Sequence, residues 1–398
     1  MSEIETPFIE PWIDTTHWSL DAIQALESPC YVISEERLEH NMKILQEVQQ
    51  RTSCKILMAL KSFSMFSVFP LLQPYLAGAE ASSVNEARLG ATEFGKETHT
   101  FSPSFTEKNI HQYIEYSDHL VFNSFSQWER FKHLIKASDK KISCGIRVNP
   151  EHCETETPMY DPCGPESHFG VTLENFQGQN LDGIEGLHFH NLCELNADAL
   201  ERTLAVFEQK FGTYLNQMQW VNFGGGHHIT RNDYNISLLC DILIKFKLKY
   251  PHLEVYLEPG EAIALNAGVL LASVVDLTRN GVNIAVLDVS ATTHMPDVLE
   301  MPYLPTILDG KAAENTDQNV YKLVGPTCLT GDVIGKYAFS KPLEIGQKML
   351  FMNMAIYTMV KNTTFNGVNL PSIAILKKDG SIQKVKDFGY EDFKNRLS

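Results

Sequence analysis

From Lys55 onward, eight short apolar runs alternate with segments of helical periodicity, and that rhythm admits few folds. The runs are Lys55–Leu60, Gly78–Ser82, Thr98–Ser102, His119–Asn123, Lys141–Val148, Gly183–His190, Gln219–Phe223 and Leu253–Leu257. Val84–Phe94, Ser126–Ile135, Asp198–Leu215 and Tyr234–Lys249 read as helices between them. A helical crossover returns the chain parallel to its previous strand. Eight parallel strands are the number that closes a barrel. A doubly wound open sheet is the alternative, and it uses fewer strands. The expected fold is therefore an α/β (β/α)8 TIM-like barrel.

The pattern changes after about residue 270. Ala272–Thr278 and Val282–Val289 flank Asn280-Gly281, a strong hairpin signal. Val320–Val324, Lys348–Met354, Ile373–Lys377 and Ser381–Val385 follow without helices between them. These strands imply a C-terminal, mainly antiparallel β domain. Near the other end, Ser28-Pro29 introduces a short strand, Cys30–Ile33, that can join it. Ser34 then reads as the N-cap of a helix over Arg37–Gln50, with Leu38, Met42, Leu45 and Val48 on one face. Residues 1–28 read as irregular, with Trp12 and Trp18 packed. At 398 residues two domains are the natural expectation: a barrel over 35–270, and a β domain built from 1–34 and 271–398.

Composition narrows the partners. A net charge of −16 argues against nucleic acid and anionic membrane and favours a cationic ligand. No apolar run is long enough to cross a bilayer, and the N-terminus lacks a signal-peptide core. Eight cysteines with no C-x-x-C pair suggest a reducing, cytoplasmic compartment.

In such a barrel the chemistry lies at the C-terminal strand ends. The first run ends on Lys61, the sixth in His188-Phe189-His190, the seventh in Gly224-Gly225-Gly226 and the eighth in Glu258-Pro259-Gly260-Glu261. Burial disfavours an ammonium, so a strand-end lysine is expected to titrate low and react with carbonyls; a snorkelling lysine is the plain alternative. Three glycines let backbone amides approach an anion, or simply make a turn. His188 and His190 fall on one side of their strand, as a metal pair with Glu258, as a ring platform or as core histidines. One ligand uses all four groups. Pyridoxal 5'-phosphate needs a lysine for its aldehyde, anion donors for its phosphate and a carboxylate for its ring nitrogen.

These phrases resemble the fold-type III pyridoxal-phosphate decarboxylases, the family of ornithine, arginine and diaminopimelate decarboxylases and alanine racemase, over nearly the whole chain. Within it, Met58-Ala59-Leu60-Lys61-Ser62-Phe63, Ala79-Glu80-Ala81-Ser82-Ser83, Leu187 to Asn191, Glu258 to Glu261, Ala291 to Asp297 and Gly325-Pro326-Thr327-Cys328 match members acting on carboxynorspermidine or carboxyspermidine. The resemblance implies a catalytic, cofactor-holding Lys61, with His190 over the ring, Gly224, Gly225 and Gly226 at the phosphate, and Glu258 on the ring nitrogen. It also implies Tyr357 closing over the phosphate, and Cys328 reaching a neighbouring subunit's site as proton donor, with Asp332 in the same loop. The implied assembly is a homodimer with shared sites, and the implied reaction is decarboxylation of a carboxylated polyamine. No metal is implied.

Departures from the family pattern bear on the substrate. The family's Arg after Glu-Pro-Gly is Glu261 here, the acid after the cysteine is Leu329, and Ser290 to His294 replaces an Asn-Asp-Gly run. Glu261 and Asp297, with His294 behind them and Asp332 nearby, become the candidates for binding the substrate's distal ammonium groups; a turn acid is the plain reading of Asp297. The rivals are a decarboxylase of diaminopimelate, ornithine or arginine, a zinc hydrolase using His188, His190 and Glu258, and a non-catalytic pyridoxal-phosphate carrier.

Overall fold

A computed structural model describes residue 13 and residues 18–155 and 160–398; Trp12 lies outside them. The chain divides into two compact units, Glu39–Ile263 and a second one made of the residues up to Leu38 together with Ala264–Ser398.

The first strand, β1 (Cys30–Ser34), belongs to the second unit. A long helix, Glu35–Thr52, follows it, and Ser34 Oγ accepts the Arg37 N–H at 3.4 Å as the cap expected there. The eight expected barrel strands then appear in order: β2 (Lys55–Ala59), β3 (Gly78–Ala81), β4 (Glu97–Ser102), β5 (His119–Phe122), β6 (Ser143–Arg147), β7 (Gly186–His188), β8 (Trp220–Asn222) and β9 (Glu254–Leu257). They pair parallel throughout, and β9 returns to β2 to close the barrel. Several are shorter than the apolar runs that announced them, because the run continues into the loop that shapes the site.

Register fixes what fills the barrel. Leu57, Phe101, Val121, Trp220 and Tyr256 form its interior cluster. Trp220 needs room, and two glycines give it. A Cβ on Gly186 would sit 2.1 Å from the indole and one on Gly145 2.4 Å from it. The opposite, N-terminal end is closed by polar side chains. Lys55 Nζ bridges Glu97 at 2.9 Å and Glu254 at 3.3 Å, and Tyr256 donates to Glu97 at 3.0 Å. His99 and His119 stack with centroids 3.8 Å apart. Burial, then the His99 charge beside it, holds His119 neutral, down to about 2.

The second unit carries a nine-stranded sheet. Its further strands are β10 (Gly268–Asn280), β11 (Val282–Leu287), β12 (Gly310–Ala312), β13 (Val320–Val324), β14 (Val333–Phe339), β15 (Lys348–Phe351), β16 (Ser372–Leu376) and β17 (Ile382–Lys386). The order is β12-β14-β13-β11-β10-β1-β16-β17, with β15 also pairing β10. Only β11 with β13 and β1 with β16 run parallel among the paired strands described. The Asn280-Gly281 hairpin joins β10 to β11, with Gly281 at φ +70°. Two strands escape the sequence pattern. β12 is three residues long, and β14 is interrupted by Gly335, whose Cβ would lie 2.1 Å from Leu304. The stretch before β1 is not wholly irregular either: Leu20–Gln24 is a short helix beside a buried Trp18.

Replacing Gly186 by Ala should lower unfolding stability by about 1–3 kcal/mol, because a methyl group is forced into the Trp220 ring. Adding Trp220→Leu should recover part of the loss. Denaturant midpoints of the single and double variants measure both.

Candidate active site

Lys61 follows β2 by two residues, in a turn held from several sides. The Leu60 N–H donates to the Glu80 carbonyl at 3.0 Å, and Ser62 N–H and Oγ donate to the Ala59 carbonyl at 3.2 and 3.0 Å. The lysine is half-buried. Ser62 beside it packs against Gly260, where a Cβ would meet Ser62 Oγ at 2.7 Å. The glycine of Glu-Pro-Gly-Glu therefore lets the loop after β9 close on the lysine turn.

Glu258 is 5% exposed and holds the centre of this end of the barrel. Its Oε2 accepts from His188 Nε2 at 3.1 Å and its Oε1 from Asn222 Nδ2 at 2.5 Å. Burial opposes its charge, but His188 beside it, with the more distant charges of His99 and Lys61, outweighs burial and leaves the carboxyl below its ordinary range. Burial lowers His188 despite the carboxylate, so a neutral ring donates to an ionised acid. Each carboxylate oxygen keeps a lone pair for a further donor.

His190 lies just past β7. Its Nδ1 accepts the Gly225 N–H at 3.0 Å, which fixes the tautomer with the proton on Nε2. Burial, then the charges of Lys61 and Arg147, keep the ring well below the usual histidine value. The glycine triplet is required by space at every position. Added Cβ atoms would come 2.5 Å from the Phe189 carbonyl at Gly224, 2.3 Å from the Glu258 carbonyl at Gly225 and 2.0 Å from the Leu192 carbonyl at Gly226. Two of the three amides in this expected phosphate loop have partners within the protein. Gly224 N–H goes to Asn222 Oδ1 at 2.9 Å, and Gly225 N–H to His190.

Three of the residues gathered here had no role in the sequence reading. Asn222 links Glu258 to Gly224. Arg147 is buried between Phe101 and Phe169, 4.5 Å from each ring, and donates to the His190 carbonyl at 3.0 Å. Glu80 lies inward on β3. The available signal was a polar residue at an inward position of an apolar strand. His227 is also buried, with both ring nitrogens lacking a hydrogen-bond partner.

Glu261 opens the short helix after Glu258, and its Oε2 lies 3.2 Å from His228 Nδ1. Burial takes His228 down to about 4, so that ring is neutral. In the sheet unit the expectations divide. Cys328 is exposed, its N–H bound to Asn366 Oδ1 at 2.8 Å. Tyr357 has the uncommon φ of +55° and caps the helix Thr358–Lys361. Asp332 does not present its carboxylate to a ligand. It is buried and accepts from Ser290 Oγ, Thr292 N–H, Thr327 N–H and Thr327 Oγ at 2.7–3.2 Å, so it braces the loop that carries Cys328. His294 is also buried, between the Ser290 N–H at 3.3 Å and the Asn369 carbonyl at 3.0 Å. Both are bracing residues rather than substrate ligands. Asp297 and Glu300 share the Lys361 ammonium.

Residues 30–355 match the family described as pyridoxal-dependent decarboxylase, C-terminal sheet domain. The chain is 43% identical over 376 residues to the carboxyaminopropylagmatine decarboxylase of a Synechocystis species, covering 94% of this chain and 96% of that one. It is 40% identical over 383 residues to the carboxynorspermidine/carboxyspermidine decarboxylase of Campylobacter jejuni, covering 94% and 99%. Among solved structures it is similar to the Campylobacter jejuni carboxynorspermidine decarboxylase complexed with norspermidine, at a TM-score of 0.86 and 40% identity over 93% of this chain and 100% of that one. Its fold is shared by Helicobacter pylori diaminopimelate decarboxylase, at a TM-score of 0.81 and 19% identity over 95% and 98% of the two chains.

Asp332→Ala should cost about 2–4 kcal/mol, since it strands the buried Ser290 hydroxyl and three partly buried donors of Thr292 and Thr327. Denaturant titration measures the loss. Faster modification of the Cys328 thiol would accompany it if the loop is released.

Proposed function

The chain belongs to the pyridoxal-dependent decarboxylases, and from that premise we propose that it decarboxylates a carboxylated polyamine. The cofactor of this family is pyridoxal 5'-phosphate, and the barrel end fits it. Lys61 offers an amine, Glu258 a buried ionised carboxylate with lone pairs to spare, and the loop after β8 a cradle from which side chains are excluded. The ionised Glu258, fixed by His188 and Asn222, is the observation that carries the chemistry.

When bound, the cofactor supplies an electron sink for the carbon that loses CO₂. Lys61 would hold its aldehyde end. Glu258 keeps a proton on the ring nitrogen, which is what makes the sink effective. His190, neutral and locked by Gly225, presents a flat face for the ring. The amides beyond Gly225, at Gly226 and His227, take the phosphate, and Tyr357 is assigned to the same group on the family resemblance. Cys328 of the partner subunit would supply the proton to the product carbon, a role its exposure supports. The assembly in this reading is a homodimer with shared sites.

The substrate reading rests on the relatives, which act on carboxylated aminopropyl amines, and on the acidic balance of the chain. It covers carboxynorspermidine and carboxyspermidine, and the Synechocystis relative adds carboxyaminopropylagmatine. Of the acids considered for the distal ammonium groups, Glu261 is retained ahead of Asp297. Its neighbour His228 is neutral, whereas Asp297 faces the ammonium of Lys361. The zinc-hydrolase reading is disfavoured because, among the described residues, the groups close enough to share an ion are Glu97, His99 and His119, and Glu194, His228 and Glu261, and His188, His190 and Glu258 do not form such a group. We place the protein in the cytoplasm. In support, no helix of the described residues is long and apolar enough to cross a membrane, and its eight cysteines are free.

CO₂ release with added pyridoxal 5'-phosphate tests the reading. The carboxylated polyamines should turn over with kcat/KM about 100-fold or more above diaminopimelate, ornithine or arginine. Preference for an ordinary amino acid would overturn the substrate assignment and leave the cofactor chemistry standing. Lys61→Ala should lose the visible absorbance of the bound cofactor; a band that survives would remove the central assignment.

A further inference from the structure

Glu80 is a buried acid that none of the roles above uses. It sits in β3 with Ala59 of β2 and His99 of β4 as register neighbours, and its carbonyl receives the Leu60 N–H, one residue before Lys61. The period of two that turns Leu57 and Phe101 inward also turns Glu80 inward, at the Lys61 end of the barrel. Only 4% of it is exposed. Ser82 Oγ donates to Oε1 at 3.1 Å, while Oε2 is buried with no hydrogen-bond partner.

Glu258 provides the contrast. Both of its oxygens have donors, so of two buried carboxyls that feel each other's charge it is the one that ionises. Five groups among the described residues bear on Glu80: Glu258 just past β9, Lys61 from the turn after β2, Glu86 from the helix Val84–Leu89, Ser82 beside its own strand end, and Arg147 from β6. Burial first, then the Glu258 charge, lifts it to about 8 against the opposing charge of Lys61. A buried carboxylate oxygen without a donor is unfavourable. A carboxylic O–H at the same place is an unused donor, and an acid kept neutral can serve a site in that way.

We propose that Glu80 acts as a neutral carboxylic acid whose O–H is a hydrogen-bond donor to the cofactor held at Lys61. This rests on the pyridoxal-phosphate reading of the site. Glu80 is then a positioning residue that fixes the cofactor's orientation while Glu258 fixes its charge.

The test uses the full chain as wild type, Glu80→Gln and Glu80→Ala. Affinity for pyridoxal 5'-phosphate and the visible band of the bound cofactor are followed from about pH 6 to pH 9. In the wild type, affinity should fall through a step near 8, where the donor becomes an acceptor. Glu80→Gln keeps a donor and should lose the step. Glu80→Ala should bind about tenfold more weakly at neutral pH. The apoprotein gives a second readout. A carboxyl raised in the folded state contributes stability below its unfolded value, and that stability is lost as pH rises toward 8, so the melting temperature of Glu80→Gln should gain on the wild type across that window. The inference is overturned if Glu80→Ala binds cofactor as tightly as the wild type, if Glu80→Gln keeps the step, or if the melting temperatures run parallel. Failure of the underlying reading would look different: no visible band in the wild type, or one that survives Lys61→Ala.

Discussion

A buried, ionised carboxylate at the end of β9 organises this barrel end. Taking Glu258 out of water is unfavourable unless donors replace the water. His188 from β7 and Asn222 from β8 do so, and the register that pairs His188 with Asn222 puts both side chains on the same level. The consequences spread outward through hydrogen bonds. Asn222 uses its other end to hold Gly224, and Gly225 holds His190, so carboxylate, glycine loop and imidazole form one connected set. Substituting any member disturbs the rest, and such coupled sites show non-additive effects.

Much of the fold was legible because most barrel strands are largely apolar and alternate with amphipathic helices, two signals with different periods. The eight strands could be counted from the sequence, and the Asn280-Gly281 turn announced the change of architecture. What stayed hidden was short or interrupted. β12 is too brief to have a period, and β14 carries a glycine where Leu304 needs space. The site was legible in part for a related reason. Lys61, His190, the triplet and Glu258 stand at strand ends, where polar residues are conspicuous. Asn222, Arg147 and Glu80 stand within or at the ends of apolar runs, and their importance lies in which neighbour they reach, a property of register and not of composition.

The acids of the sheet unit teach the complementary lesson. Asp332 looked like a ligand because it shares the loop of Cys328, and His294 because it ends the stretch that replaces the family's Asn-Asp-Gly run. Burial decides otherwise. A carboxylate that already accepts from Ser290, Thr292 and Thr327 has little left for a substrate, and an imidazole fixed at both nitrogens has nothing to offer. These residues hold the Cys328 loop in shape, which is a requirement for placing a thiol but not a contact with the reacting atoms.

Charge placement separates the two carboxyls nearest Lys61. If Glu80 and Glu258 were both ionised, two like charges would share one low-dielectric layer with a single lysine and one arginine, and neither would be well compensated. The hydrogen bonds resolve this by unequal provision: two donors for Glu258, one for Glu80. The same asymmetry lets one end of a barrel offer a fixed negative charge and a neutral donor within a few residues of one amine. A cofactor that must be both electronically tuned and rigidly oriented needs both, and two carboxyl groups supply them only when their environments differ.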